Sequence, residues 1–137
     1  MRYPARDTAP FWARFHGKWF LGRCKDVPGD VIDTAVLIVS ELVTNAYTAA
    51  VDLSDPAVID LSLRLFAGHL LIEVIDSSPE YPVLSPLVDA CIESGRGLQM
   101  VNSLSAEWGY FFYRDRKVVY CFLQVPAPEQ GTDNAED

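Results

Sequence analysis

Cysteine is scarce in this chain of 137 residues: Cys24, Cys91 and Cys121 lie far apart, with no CxxC pair. Neither histidine, His16 or His69, supplies metal-ligand spacing with a cysteine. These absences exclude a zinc-ribbon pattern and a disulfide framework, and make a reducing cytosol the default. Basic charge is scarce as well, with 11 Lys and Arg against 19 Asp and Glu and a net charge of −8. An acidic body argues against direct nucleic-acid binding, which needs clustered Lys and Arg on phosphates. It is no bar to a phosphate ligand that arrives with its own cation. Long apolar runs are missing too. In the candidate long helix the longest, Ala35 to Val39, is too short to span a bilayer, and the N-terminus has no signal-peptide h-region. A cytoplasmic protein with no membrane partner is the expectation.

What is present is one globular domain, with half its residues apolar. Residues 1–125 form that domain. Residues 126–137 hold four acids, Glu129, Asp133, Glu136 and Asp137, with no apolar periodicity. They read as an acidic disordered tail, which leaves about −4 for the body.

Periodicity orders the elements. Thr8 is a candidate cap for a first helix, with Pro10 in its first turn. Phe11, Trp12, Phe15 and Trp19 recur along it at near-helical spacing, and core packing is their expected role. Gly22 and Asp26-Val-Pro-Gly29 break that helix, and Asp30 is placed to cap a second. Ile32, Ala35, Val36, Val39, Leu42, Val43 and Ala46 give the second helix an apolar face. A hairpin follows: Ile59 to Leu65, a turn at Ala67-Gly68-His69, and Leu70 to Asp76. On the return strand Leu70, Ile72, Val74 and Asp76 share one side. Residues 77–94 read as a long loop with a short helix near 87–92, and Gly95-Arg-Gly-Leu98 opens a third helix. Strands Trp108 to Tyr113 and Lys117 to Val125 close the domain around the turn Arg114-Asp115-Arg116. Helices grouped against a mainly antiparallel sheet predict an α+β two-layer sandwich, with the helices packed on one face.

Three local features bear on chemistry. On the second helix Glu41, Thr44, Asn45 and Thr48 fall at i, i+3, i+4 and i+7, one polar stripe beside apolar bulk. A carboxylate and a carboxamide one turn apart are hard oxygen donors suited to a magnesium–phosphate site, with the carboxylate also able to act as a base. The same stripe also fits the exposed edge of an ordinary amphipathic helix. Asp76 ends a strand on its apolar side, and it equally suits the start of a turn before Ser77-Ser78-Pro79. Gly95 and Gly97 at a helix entrance would let backbone N–H groups approach an anion, or would simply cap the helix.

Taken together and in order, these motifs resemble the GHKL ATPase superfamily, which includes gyrase, heat-shock chaperone, histidine kinase and mismatch-repair members. Glu41-Leu-Val-Thr-Asn45-Ala resembles its N box, Asp76-Ser-Ser-Pro79 its aspartate box, and Gly95-Arg-Gly-Leu98 its second glycine box. Ser40 to Ala46, Asp76 to Pro79 and Glu93 to Leu98 look most like the small bacterial anti-sigma factor and serine/threonine kinase branch. The resemblance covers roughly residues 8 to 125.

It implies that ATP and Mg2+ bind. Asn45 would hold magnesium, and Glu41 would be the catalytic base. Thr44 would touch a phosphate oxygen. Asp76, with Ser78 beside it, would accept the adenine amine. Gly95, Arg96, Gly97 and Leu98 would meet the phosphates. It also implies a sigma factor and an anti-anti-sigma (STAS-type) protein as partners, and leaves a homodimer open. A lone-domain regulator that phosphorylates a serine on the antagonist is the expectation. A non-catalytic nucleotide- or partner-binding regulatory module of the same fold is the alternative.

Overall fold

The computed structural model describes residues 1–50, 57–79 and 107–126. Among them the order is strand β1 (Arg2–Pro4), helices α1 (Ala9–Gly22) and α2 (Gly29–Ala50), then strands β2 (Val58–Phe66), β3 (His69–Asp76), β4 (Glu107–Tyr113) and β5 (Arg116–Gln124). The strands make one antiparallel sheet in the order β1-β2-β3-β5-β4. The two helices cover one face of it, the predicted α+β sandwich. The helix expected from Gly95, the short helix near 87–92 and most of the acidic tail lie outside the described residues.

α2 carries the core because its apolar positions repeat on one side. Ala35, Ile38, Val39, Leu42, Val43, Ala46 and Ala50 are buried. They meet the inward rows of the sheet: Ile59 and Leu61 of β2, Leu70, Ile72 and Val74 of β3, and Val119, Cys121 and Leu123 of β5. Each fully buried Ile or Leu contributes roughly 1.5–3 kcal/mol of transfer free energy. Burial pushes the Cys121 thiol up to about 12, so it packs as an inert apolar group.

Two expectations are corrected. The predicted order begins with a helix, but β1 precedes it and pairs with β2 through Tyr3↔Ile59. Three residues are too few to show strand alternation in a sequence; partnership with β2 makes this segment a strand. The second correction concerns α1. Its aromatics Phe11, Trp12, Phe15 and Trp19 are exposed, between 46% and 59%. α1 instead buries Ala9, Ala13, Gly17 and Leu21, spaced four residues apart. Small side chains let its backbone come close to α2 and to the sheet, where a Cβ on Gly17 would already touch Leu63. Two hydrogen bonds fix the helix there: Tyr3 Oη with His16 Nδ1 at 2.8 Å, and Arg14 Nη1 to Ser40 Oγ at 2.8 Å.

Candidate functional site

Asp76 is the last residue of β3, on the same parity as Leu70, Ile72 and Val74, so its carboxylate faces the helical layer. It is 2% exposed. Oδ1 accepts the backbone N–H of Ser78 at 2.7 Å, an Asx turn that ends the strand. Ser78 is itself buried. The turn-starting role and the inward-facing role therefore coexist in one side chain.

Lys117 stands opposite Asp76 in the ladder between β3 and β5. Its Nζ lies 3.7 Å from Asp76 Oδ1, and the two side chains are 4% and 2% exposed. Asp76 Oδ2 is fully buried and finds no hydrogen-bond donor among the described residues. Leaving a buried acceptor without a donor costs about 1–3 kcal/mol. A ligand that supplies an N–H at this point recovers that cost. Burial pushes the Asp76 carboxyl above the usual carboxylate range, while the Ser78 N–H, Lys117 and Arg116 pull it back.

On α2 the polar stripe lies beside the core row Leu42, Val43 and Ala46. Glu41, Thr44 and Asn45 are half-buried, and Thr48 is exposed. The Oε2 atom of Glu41 is buried. One helical turn, roughly 6 Å of rise, separates Glu41 from Asn45. Among the described residues no group of three or more His, Cys, Asp and Glu could hold a metal by itself. Asn45 and Glu41 do offer the hard oxygen donors that magnesium takes, and phosphate oxygens would complete its shell. The donor chemistry thus fits a magnesium–nucleotide ligand better than a dedicated metal cage.

Gly95, Arg96, Gly97 and Leu98 lie outside the described residues. Two described clefts, one lined by Phe66, His69 and Phe122 and the other by Cys24, Val27 and Pro126, sit at the hairpin end of β2 and β3. That is the opposite end of β3 from Asp76. Lys117 is not among the residues that the motifs single out, although the sequence carries a signal for it. It shares strand parity with Val119, Cys121 and Leu123, so a lysine falls on the apolar row.

Comparison with known proteins agrees with this geometry. Residues 6–119 match the family described as "Histidine kinase-like ATPase domain". The chain is 34% identical over 95 residues to an uncharacterised protein of Streptomyces coelicolor, SCO4941, covering 66% of this chain and 87% of that one. Among solved structures it is similar to the blue-light activated histidine kinase EL346 of Erythrobacter litoralis. The TM-score is 0.58 at 24% identity, over 79% of this chain and 34% of that one. A structure of that kinase's histidine kinase domain gives a TM-score of 0.53 at 24% identity, over 77% of this chain and 49% of that one. The chain therefore spans between a third and a half of those solved chains, and at that identity the likeness is one of fold. The match along most of the chain, on an α+β sandwich of the corresponding kind, carries the assignment: this chain belongs to the family of histidine kinase-like ATPase domains, of GHKL type.

Proposed function

We propose that the protein is a cytoplasmic, ATP-binding regulator that acts as an anti-sigma factor and serine/threonine protein kinase toward an anti-anti-sigma partner. The observation that carries the ATP part is Asp76. It is a buried carboxylate, facing the helices, whose Oδ2 has no donor among the described residues, in a chain of ATPase-domain type. The adenine amine is a donor of the right kind, and a carboxylate cannot donate to the guanine carbonyl. α2 is long and apolar enough to cross a membrane by length and composition, but its apolar side packs in the core of the sandwich.

In this reading Asp76 Oδ2 accepts the adenine amine while Ser78 N–H holds Oδ1. Asn45 holds magnesium through its side-chain oxygen, and Thr44 contacts a phosphate oxygen. Gly95, Arg96, Gly97 and Leu98 contribute backbone and side-chain donors to the phosphates. Magnesium, when bound, neutralises phosphate charge. Glu41 takes the proton from the partner's serine. That hydroxyl oxygen bonds to the γ-phosphorus, the bond to the bridging oxygen breaks, and ADP leaves. Catalysis is then mostly positioning and charge neutralisation.

A second reading, a partner-binding module without phosphoryl transfer, is favoured by the exposed aromatic side of α1. Calorimetric titration with Mg–ATP tests the nucleotide site. The full chain should bind, and Asp76→Asn should weaken binding about 10–100-fold, the scale of a lost buried hydrogen bond to a charged group. Equal affinity in the variant removes Asp76 from the adenine site. Glu41→Ala should keep ATP binding and abolish transfer to the serine of an anti-anti-sigma protein. If the unaltered chain binds ATP but transfers nothing, the binding-module reading stands.

A further inference from the structure

The pairing of Asp76 with Lys117 is not used by the mechanism above, and its geometry is unusual. Two opposite charges sit at the end of adjacent strands, in register, with both side chains almost wholly removed from water. Oδ1 is shared between the Ser78 N–H and Lys117, which leaves Oδ2 as the acceptor turned to the site. The charged groups acting on Asp76 among the described residues are Lys117 and Arg116, both from β5. Arg116 is already engaged, with Nη1 on Asp60 Oδ2 at 2.8 Å. Among the described residues Lys117 is the cation that forms an ion pair with Asp76.

We propose that Lys117 is a positioning residue that sets nucleotide specificity, holding Asp76 as an acceptor-only carboxylate so that Oδ2 takes the adenine amine and rejects guanine. The proposal rests on the ATP reading above. Its physical basis is the proton inventory of a carboxyl group. An ionised carboxylate only accepts, which suits the amine of adenine and repels the carbonyl of guanine. A protonated carboxyl can donate to that carbonyl, so a neutral Asp76 discriminates poorly. Burial by itself favours the neutral form. A buried ammonium opposite the carboxylate opposes that preference and favours the ionised form, so selectivity follows from the charge rather than from the shape of the pocket.

The test is a calorimetric comparison of Mg–ATP and Mg–GTP for the unaltered full chain and for Lys117→Met, which keeps length and removes charge. The unaltered chain should prefer ATP. In Lys117→Met the ATP-to-GTP preference should fall by about tenfold or more at neutral pH, and recover as pH rises and Asp76 ionises. Lys117→Arg should keep the preference. If Lys117→Met does not fold, Lys117→Gln, which can still donate to Oδ1 but carries no charge, should show the same loss. An unchanged preference in whichever neutral variant folds overturns the proposal. A loss that does not recover with pH also overturns it, because a purely structural defect has no such dependence. Failure of the unaltered chain to bind either nucleotide instead overturns the ATP reading, and is seen before any variant is compared.

Discussion

Asp60 and Asp76 stand on opposite faces of the sheet, and their surroundings push them in opposite directions. Asp60 accepts from Arg2 Nε at 2.8 Å and from Arg116 Nη1 at 2.8 Å. The Arg2 hydrogen bond chiefly, with Arg116, outweighs partial burial and holds its carboxyl below the usual range. Asp76 has the reverse balance, with burial dominant. The consequences for stability have opposite signs. The Asp60 contribution is present above the ordinary carboxylate value and is lost as pH falls through its depressed one. The preference of folded Asp76 for its neutral form stabilises at low pH and is lost as pH rises through its raised value. Asp60→Asn should therefore cost about 1 kcal/mol or less near pH 7, since Arg2 is largely solvated. That deficit should close as pH falls below the ordinary carboxylate range, as read by urea unfolding at each pH. A deficit independent of pH would mean that packing, not charge, is what Asp60 contributes. Asp76's place on an apolar row was legible in strand alternation alone. Its partner was not, because Lys117 comes from a strand that the chain reaches only much later.

At the scale of elements, α2 was legible and α1 was half legible. The α2 face follows helical spacing over about four turns, so periodicity alone names most of it; Ile38 and Ala50 are buried outside the expected set, and Ile32 and Val36 within it are only half-buried. In α1 two faces compete, one large and aromatic, one small. Hydrophobicity favours burying the first, but the close approach to α2 and the sheet admits only the second. Trp19→Ala should accordingly change stability by no more than about 0.5 kcal/mol beyond the loss of its stacking with Arg23. Ala13→Leu, which sounds conservative, should cost about 1–3 kcal/mol through overpacking. Chemical unfolding of both variants checks this, and a larger loss for Trp19→Ala would return the aromatics to the core. Both hairpin turns were legible. Gly68, at φ +83°, marks the β2–β3 turn openly. The β4–β5 turn falls at the expected Arg114-Asp115, at φ +50° and +62°, a conformation that Asp tolerates and that Arg does not advertise.

At the scale of the whole molecule the sheet has two unlike faces. The inner face joins the helices in one core, and the outer face carries a row of rings in which Phe111, Tyr120 and Phe122 lie about 6 Å apart. The site belongs to the inner layer, so ligand binding and folding are coupled. Mg–ATP at about 100 times its Kd should raise stability by about 2.7 kcal/mol, seen as a thermal shift. Asp76→Asn should lose about half of that shift or more; a full shift in the variant would place the nucleotide elsewhere. The sequence by itself determined the layer architecture, the α2 face, the parity of Asp76 and the motifs that resemble this ATPase family. Those are local properties, fixed by periods of 2 and 3.6 residues and by residue type. The tertiary structure decided which face of α1 is buried, that residues 2–4 form a strand, and that Lys117 meets Asp76 out of water. Those depend on what a distant segment brings to the contact, and no local period encodes it.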